Sequence, residues 1–307
     1  MGLSGGREID WGTQLLRSLL FVPGSDTHKL AKVGGFGADL VVIDLEDAVA
    51  DEEKTAARTT TRGALASFGS DQAVCVRVNS RPTGRMEEDI AAVVCPELDA
   101  IMVPKIEDSE TLPAVDAALT AAERREGMPT GSVRVLALLE TARGIVRCEG
   151  ILDGAPERTL TAVFGLGDFS TELGIDLTPE ATELLYARSR LVIATRAAGL
   201  RRPIDGPFLR LQDEDGLMTD SARSRGLGFQ GRVTVYPPQV RSVQRAYSQM
   251  AEEDVERDRR VVQAFDEAIE RGVASIRVDG RFVDYPIYNL AQERLRLDAA
   301  FRALETG

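Results

Sequence analysis

The sequence predicts an α/β fold, a (β/α)8 TIM barrel with a C-terminal helical extension, on three observations. Eight short apolar runs punctuate the chain, amphipathic stretches separate them, and a charged tail continues past the eighth. The runs are nearly continuous in apolar residues rather than alternating, the pattern of parallel strands buried on both faces. Eight such units favour a closed barrel, although an open doubly wound sheet would share the alternation, since periodicity does not report closure.

Taken in order, the runs are "SLLFVPG" (18–24), "DLVVIDLED" (39–47), "AVCVRVN" (73–79), "AIMVPK" (100–105), "RVLALLET" (134–141), "LTAVFGLGD" (160–168), "RPIDG" (202–206) and "RVTVYP" (232–237). Helical character lies between them, as in residues 52–68, 108–126 and 179–199. Neither a Walker phosphate loop nor a dinucleotide glycine fingerprint is present. Residues 1–16 read as a loose arm, 17–247 as the barrel, and 248–307 as an extension that packs on a neighbouring subunit. Within that extension, 251–272 and 289–304 read as helices, and 276–286 as a hairpin with Asp279-Gly280 at its tip.

Composition bounds the function classes. A chain of 307 residues, 43% hydrophobic and 28% charged, has the balance of a soluble globular protein whose core needs no staple. Its net charge of -12 disfavours nucleic acid and anionic membranes as partners, so a small anionic substrate would need a local basic pocket. Cys75, Cys95 and Cys148 follow no metal spacing, and no segment has the length of a membrane span. The expectation is a cytoplasmic protein.

In a barrel the chemistry sits at the carboxyl ends of the strands. Collected there are Asp44, Glu46 and Asp47 after the second run, Arg77 and Asn79 in the third, Lys105 after the fourth, Glu140 after the fifth, Asp168 after the sixth and Asp205 after the seventh. Acids clustered at a buried strand end persist only beside cations or hydrogen-bond donors. Any one of them alone reads as a helix cap or a solvated end. Glu140 and Asp168, each following an apolar run, read as functional instead. Oxygen ligands without histidine describe Mg²⁺ or Mn²⁺ better than zinc. Lys105 is either a salt-bridge partner of this acid ring or, as in metal-independent aldolases, a Schiff-base nucleophile. The single histidine, His28, is at a helix start and makes a histidine triad improbable.

Several stretches, in order, resemble the motifs of the citrate lyase β-subunit-like proteins: "RSLLFVPGSD" (17–26), "ADLVVIDLEDAV" (38–49), "VRVN" (76–79), "VPK" (103–105), "LLETARGI" (138–145), "GLGDF" (165–169), "GFQGRVTVYPPQV" (228–240) and "DGRFVDYP" (279–286). The resemblance implies a TIM barrel, usually a homotrimer, that binds Mg²⁺ and makes or breaks carbon-carbon bonds in 3-hydroxyacyl-CoA thioesters. Its members include the citrate lyase β subunit, malyl-CoA lyase and citramalyl-CoA lyase, with related malate synthase and thioesterase activities. Carried over by motif, Glu140 and Asp168 are the metal ligands and Arg77 the substrate arginine. Asp44, Glu46, Asp47 and Gly167 line the substrate site, and Asp284 is the general acid-base, acting on a neighbouring subunit. The implied partners are an acyl-CoA and a 2-oxoacid. A non-catalytic CoA or oxoacid-binding protein, or a subunit of a citrate lyase complex, would keep the same pocket. Two positions depart from the pattern: Tyr236 stands where the family usually has His, and Pro207 where it usually has a β-branched residue. Substrate preference is therefore not carried over.

Overall fold

In the computed structural model, which describes residues 9–306, eight strands close into a parallel barrel. They are β1 (Ser18–Pro23), β2 (Leu40–Asp44), β3 (Val74–Arg77), β4 (Ala100–Val103), β5 (Arg134–Leu139), β6 (Thr159–Phe164), β7 (Ile204–Asp205) and β8 (Gly231–Thr234). Each pairs with the next, and Leu19 of β1 pairs with Val233 of β8, which shuts the ring and leaves no sheet edge. The open-sheet alternative is excluded.

Alternation along the strands decides what fills the barrel. Leu40 and Val42, Cys75, Ala100 and Met102, Leu136 and Leu138, and Val163 belong to one buried cluster. Side chains two apart share a face, so the next positions on that face are Asp44, Arg77, Glu140 and Gly165. Thus the core's own periodicity carries three ionisable residues and a glycine to the upper layer of the interior. The β2–β3 register sets Asp44 beside Arg77.

The loose arm expected over residues 1–16 needs correction from residue 9 onward; residues 1–8 lie outside the described part. Ile9 and Trp11 pack against the barrel cluster and Leu16 is buried within it. Arg201 holds this segment by donating to the carbonyls of Trp11 and Gln14 at 2.7 and 2.8 Å. An exposed barrel end would leave apolar side chains wet, and these residues cover some of them. All three cysteines are buried and free. No described helix is long and apolar enough to cross a membrane.

The chain divides into two compact units, residues 1–243 and 244–307, four residues before the expected boundary. Within the second, the helices Glu252–Glu270 and Tyr285–Thr306 enclose an antiparallel hairpin, β9 (Ser275–Val278) and β10 (Arg281–Asp284). Its tip is Asp279-Gly280, both at positive φ (48° and 77°), as a tight two-residue turn requires. Val261, Phe265, Val283 and Ala291 form a small core of their own, and Phe265 stacks on Tyr288.

Candidate active site at the barrel mouth

Seven of the residues singled out in the sequence converge above the barrel interior: Asp44, Glu46, Asp47, Arg77, Lys105, Glu140 and Asp168. Arg77 is the hub. Its Nε and Nη2 donate to Asp44 Oδ1 and Oδ2 at 2.7 and 2.6 Å, and its Nη1 is 3.1 Å from Glu46 Oε2. The guanidinium also lies over the Phe21 ring, 5.1 Å from its centroid. A planar fork clamped by a carboxylate and seated on an aromatic face cannot be copied by a lysine.

Asp44 spends both carboxylate oxygens within the protein, for besides Arg77 it accepts the main-chain N–H groups of Glu46 and Ala48 at 2.9 and 3.0 Å. Burial pushes its pKa up, but the Arg77 fork and these amides more than reverse that and hold it below the ordinary aspartate value. Glu46 differs. Burial raises it, and the opposing pull of Arg77 and Lys105 does not bring it back to the usual range.

Lys105 closes the other side of the ring. Its ammonium lies 2.8 Å from Glu46 Oε1, 3.2 Å from Asp47 Oδ1 and 3.1 Å from Asp168 Oδ2, and its own N–H donates to Glu140 Oε1 at 3.1 Å. Burial tends to lower a lysine pKa, but hydrogen bonding to Glu46 and the surrounding acids override it and raise it above the ordinary value. A Schiff-base nucleophile needs the opposite shift. The salt-bridge role is the one the geometry fits.

Glu140 is 3% exposed. Burial, with Glu46 and Asp168 adding to it and Arg77 opposing, pushes its pKa to about 8. Gly165 makes room for it, since a Cβ there would stand 2.1 Å from the Glu140 Cβ. Asp168 and Gly167 lie in the first turn of the helix Leu166–Leu173, whose amino terminus has no side-chain cap. Its leading N–H groups are therefore open to an anionic oxygen.

Whether these residues suit a divalent cation can be tested on the ring itself. Glu46 Oε2 and Asp168 Oδ2 are buried and form ion pairs, yet neither accepts a hydrogen bond. With Glu140 pushed up to about 8, the ring is short of positive charge. Among the described residues, no three His, Cys, Asp or Glu side chains are grouped tightly enough to hold a metal unaided. Two carboxylates that leave the remaining positions to water and substrate are what Mg²⁺ accepts. The residues fit.

One expected member is elsewhere. Asp205 is not in the ring: it is fully buried against Arg188 and Arg232, each 2.9 Å from its Oδ2. Asp284, expected at a neighbouring subunit's site, ends β10 in the second unit, half-buried after the buried Val283, with Phe282 and Tyr285 beside it exposed. Sequence reasoning missed Lys54, whose Nζ donates to the carbonyls of Leu45 and Glu46 at 2.9 and 2.6 Å and pins the acidic turn from below. It also missed Asp89, which fixes Asn79 by accepting its N–H and Nδ2 at 2.7 and 2.6 Å. Both lie in charged helical stretches where nothing local marks them.

Residues 17–237 match the HpcH/HpaI aldolase/citrate lyase family. The citrate lyase subunit beta of Leuconostoc mesenteroides subsp. cremoris is 33% identical over 286 residues, covering 92% of this chain and 93% of that one. The (3S)-malyl-CoA thioesterase of Cereibacter sphaeroides is 33% identical over 270 residues, 87% of this chain and 89% of that one. Among solved structures, CitE from Mycobacterium tuberculosis in complex with magnesium, acetoacetate and coenzyme A superimposes with a TM-score of 0.74 at 26% identity, covering 92% of this chain and 98% of that one. With the closed barrel and the acid ring at its mouth, these likenesses show that the chain belongs to the HpcH/HpaI aldolase/citrate lyase family of carbon-carbon lyases.

Proposed function

We propose that this protein is a Mg²⁺-dependent lyase or synthase of 3-hydroxyacyl-CoA thioesters of the malyl-, citramalyl- or citryl-CoA type. It would release acetyl-CoA and a 2-oxoacid, or join them. The observation that carries this reading is the charge-deficient ring: buried Glu140 and adjacent Asp168 facing a clamped arginine in a CoA-ester lyase family.

When bound by Glu140 and Asp168, Mg²⁺, or Mn²⁺ in its stead, supplies a Lewis acid for the oxoacid oxygens. The rest falls to the chain. Arg77 Nη1, not used by Asp44, stabilises the enolate oxygen of the acetyl thioester, and Asp44 positions Arg77 rather than touching substrate. Glu46 and Asp47 hold water at the mouth, and the N–H of Gly167 meets the oxoacid carboxylate. In cleavage, the carbon-carbon bond next to the hydroxyl-bearing carbon breaks, its electron pair passes to the thioester as an enolate, and the hydroxyl gives its proton to the Asp284 carboxylate as the oxoacid carbonyl forms. Asp284 then protonates the enolate carbon, giving acetyl-CoA. We assign Asp284 to the site of a neighbouring subunit in a homotrimer, with the unit 244–307 packing across that boundary.

The experiment is a panel of malyl-CoA, citramalyl-CoA and citryl-CoA, read by formation of acetyl-CoA, free CoA thiol and oxoacid with and without Mg²⁺. Mg²⁺-dependent release of acetyl-CoA from at least one is expected; free thiol without acetyl-CoA would mean thioester hydrolysis, and no turnover of any would mean a binding protein. Mixing inactive Asp284→Asn with inactive Glu140→Ala under subunit exchange tests the second half. Activity returns if Asp284 acts in trans, and stays absent, with exchange verified by mass, if it does not.

A further inference from the structure

We propose that Lys105 is the resident cation of the carboxylate ring, and that a divalent metal binds by displacing its ammonium from Asp168. The proposal rests on Glu140 and Asp168 being the metal's carboxylates.

Lys105 is one of only three non-glycine residues at positive φ among those described, with φ 52°, a conformation that L side chains adopt at a cost. That conformation makes one residue serve the ring at both ends. Its N–H reaches Glu140 while its ammonium reaches Glu46, Asp47 and Asp168, so it touches four of the five acids.

The three cations around the ring are not equally committed. Arg77 is clamped in a fork by Asp44 and lies over Phe21. Lys54 is buried, and its ammonium is spent on two carbonyls. Lys105 alone combines a flexible stem with a part-exposed side chain, 31% exposed. It is the cation that can leave.

It must also leave. The ammonium sits 3.1 Å from Asp168 Oδ2, a buried oxygen that accepts no hydrogen bond. A dication taking that carboxylate would lie a few ångströms from an ammonium, and two positive charges that close repel strongly in a partly buried site. Glu46 and Asp47 offer the displaced ammonium a place to remain within the ring. The ammonium helps to hold these acids together at the expense of metal affinity.

The sign of this effect makes it testable. Mn²⁺ affinity would be measured by titration calorimetry and by the Mn²⁺ spin-resonance signal at one fixed pH, for the wild type, Lys105→Met, Lys105→Gln, Lys105→Arg and Glu140→Ala. The melting temperature would be recorded in EDTA and in Mn²⁺. The two neutral variants should bind Mn²⁺ at least about tenfold tighter than wild type, melt lower in EDTA and regain more on adding metal. Lys105→Arg should stay close to wild type, and Glu140→Ala should lose the metal. Unchanged or weaker binding in both neutral variants, with Glu140→Ala deficient, overturns the role of Lys105 and leaves the metal site standing. Wild-type affinity in Glu140→Ala overturns the metal site and this proposal together. If a neutral variant fails to fold in EDTA, rescue by Mn²⁺ supports the proposal and no rescue overturns it.

Discussion

Two polar networks involve the barrel's strands, and they are built to opposite rules. Around β7 and β8, Asp205 and Asp220 face Arg188 and Arg232, with Arg232 Nη2 2.9 Å from Asp205 and in close contact with Asp220. The two buried aspartates there are matched by two buried arginines, with the part-exposed Arg223 also 3.3 Å from Asp220, and although burial opposes it, Arg188 and Arg232 hold the Asp220 carboxyl below the usual carboxylate range. At the mouth, five carboxylates share Arg77 and Lys105, and Glu140 is pushed up rather than down. A buried network whose carboxylates are each matched by an arginine is scaffold, whereas one whose carboxylates outnumber its cations waits for charge to arrive with ligand. Burial alone does not separate them, since Asp205 and Glu140 are both buried.

That contrast can be broken by substitutions with opposite signs. Asp205→Ala removes one of the two carboxylates that face the buried Arg188 and Arg232 and should cost about 3–5 kcal/mol in urea unfolding. Glu140→Gln removes a buried carboxylate whose folded pKa is raised from 4.5 to about 8, so the wild type, in EDTA, loses stability as pH rises through that window while the variant does not. The variant's advantage should be absent below about pH 4.5, grow by at most about 1.4 kcal/mol per pH unit, and level off above about pH 8. A constant gap across that range would mean that Glu140 is compensated like Asp205, and the distinction would fall.

A smaller effect sharpens the comparison on the catalytic side. Arg77→Lys keeps the charge but not the fork, and turnover should fall by about a hundredfold, roughly 2.7 kcal/mol in the barrier, with the melting temperature little changed. A near-wild-type rate in single-turnover kinetics would move enolate stabilisation to another group. By contrast, the scaffold arginines should show in stability before they show in rate.

Particular elements show how far the sequence could be read. The eight runs mark eight strands, and the tail's hairpin turns at Asp279-Gly280, because apolar periodicity and turn chemistry act over a few residues. The fold class, the acids at the strand ends and the family motifs follow from such local patterns. Asp205 looks the same in sequence as Glu140, an acid closing an apolar run, and only the arginines of distant segments reveal it as scaffold. Lys54 and Asp89 steer the acidic turn and Asn79 through contacts that no spacing rule marks. Residues 9–16, apolar only in places, take their position from a barrel end that exists once the sheet has closed.

By itself, then, the sequence determined which residues alternate into the barrel and which acids end its strands, since side-chain direction along a strand is set by the backbone. Which charges meet was decided by tertiary structure. Closure and register bring Arg77 to Asp44, Lys105 to Asp168 and two arginines to Asp205 from positions far apart in the chain, and the strength of a charge depends on its neighbours in space and on the water they exclude.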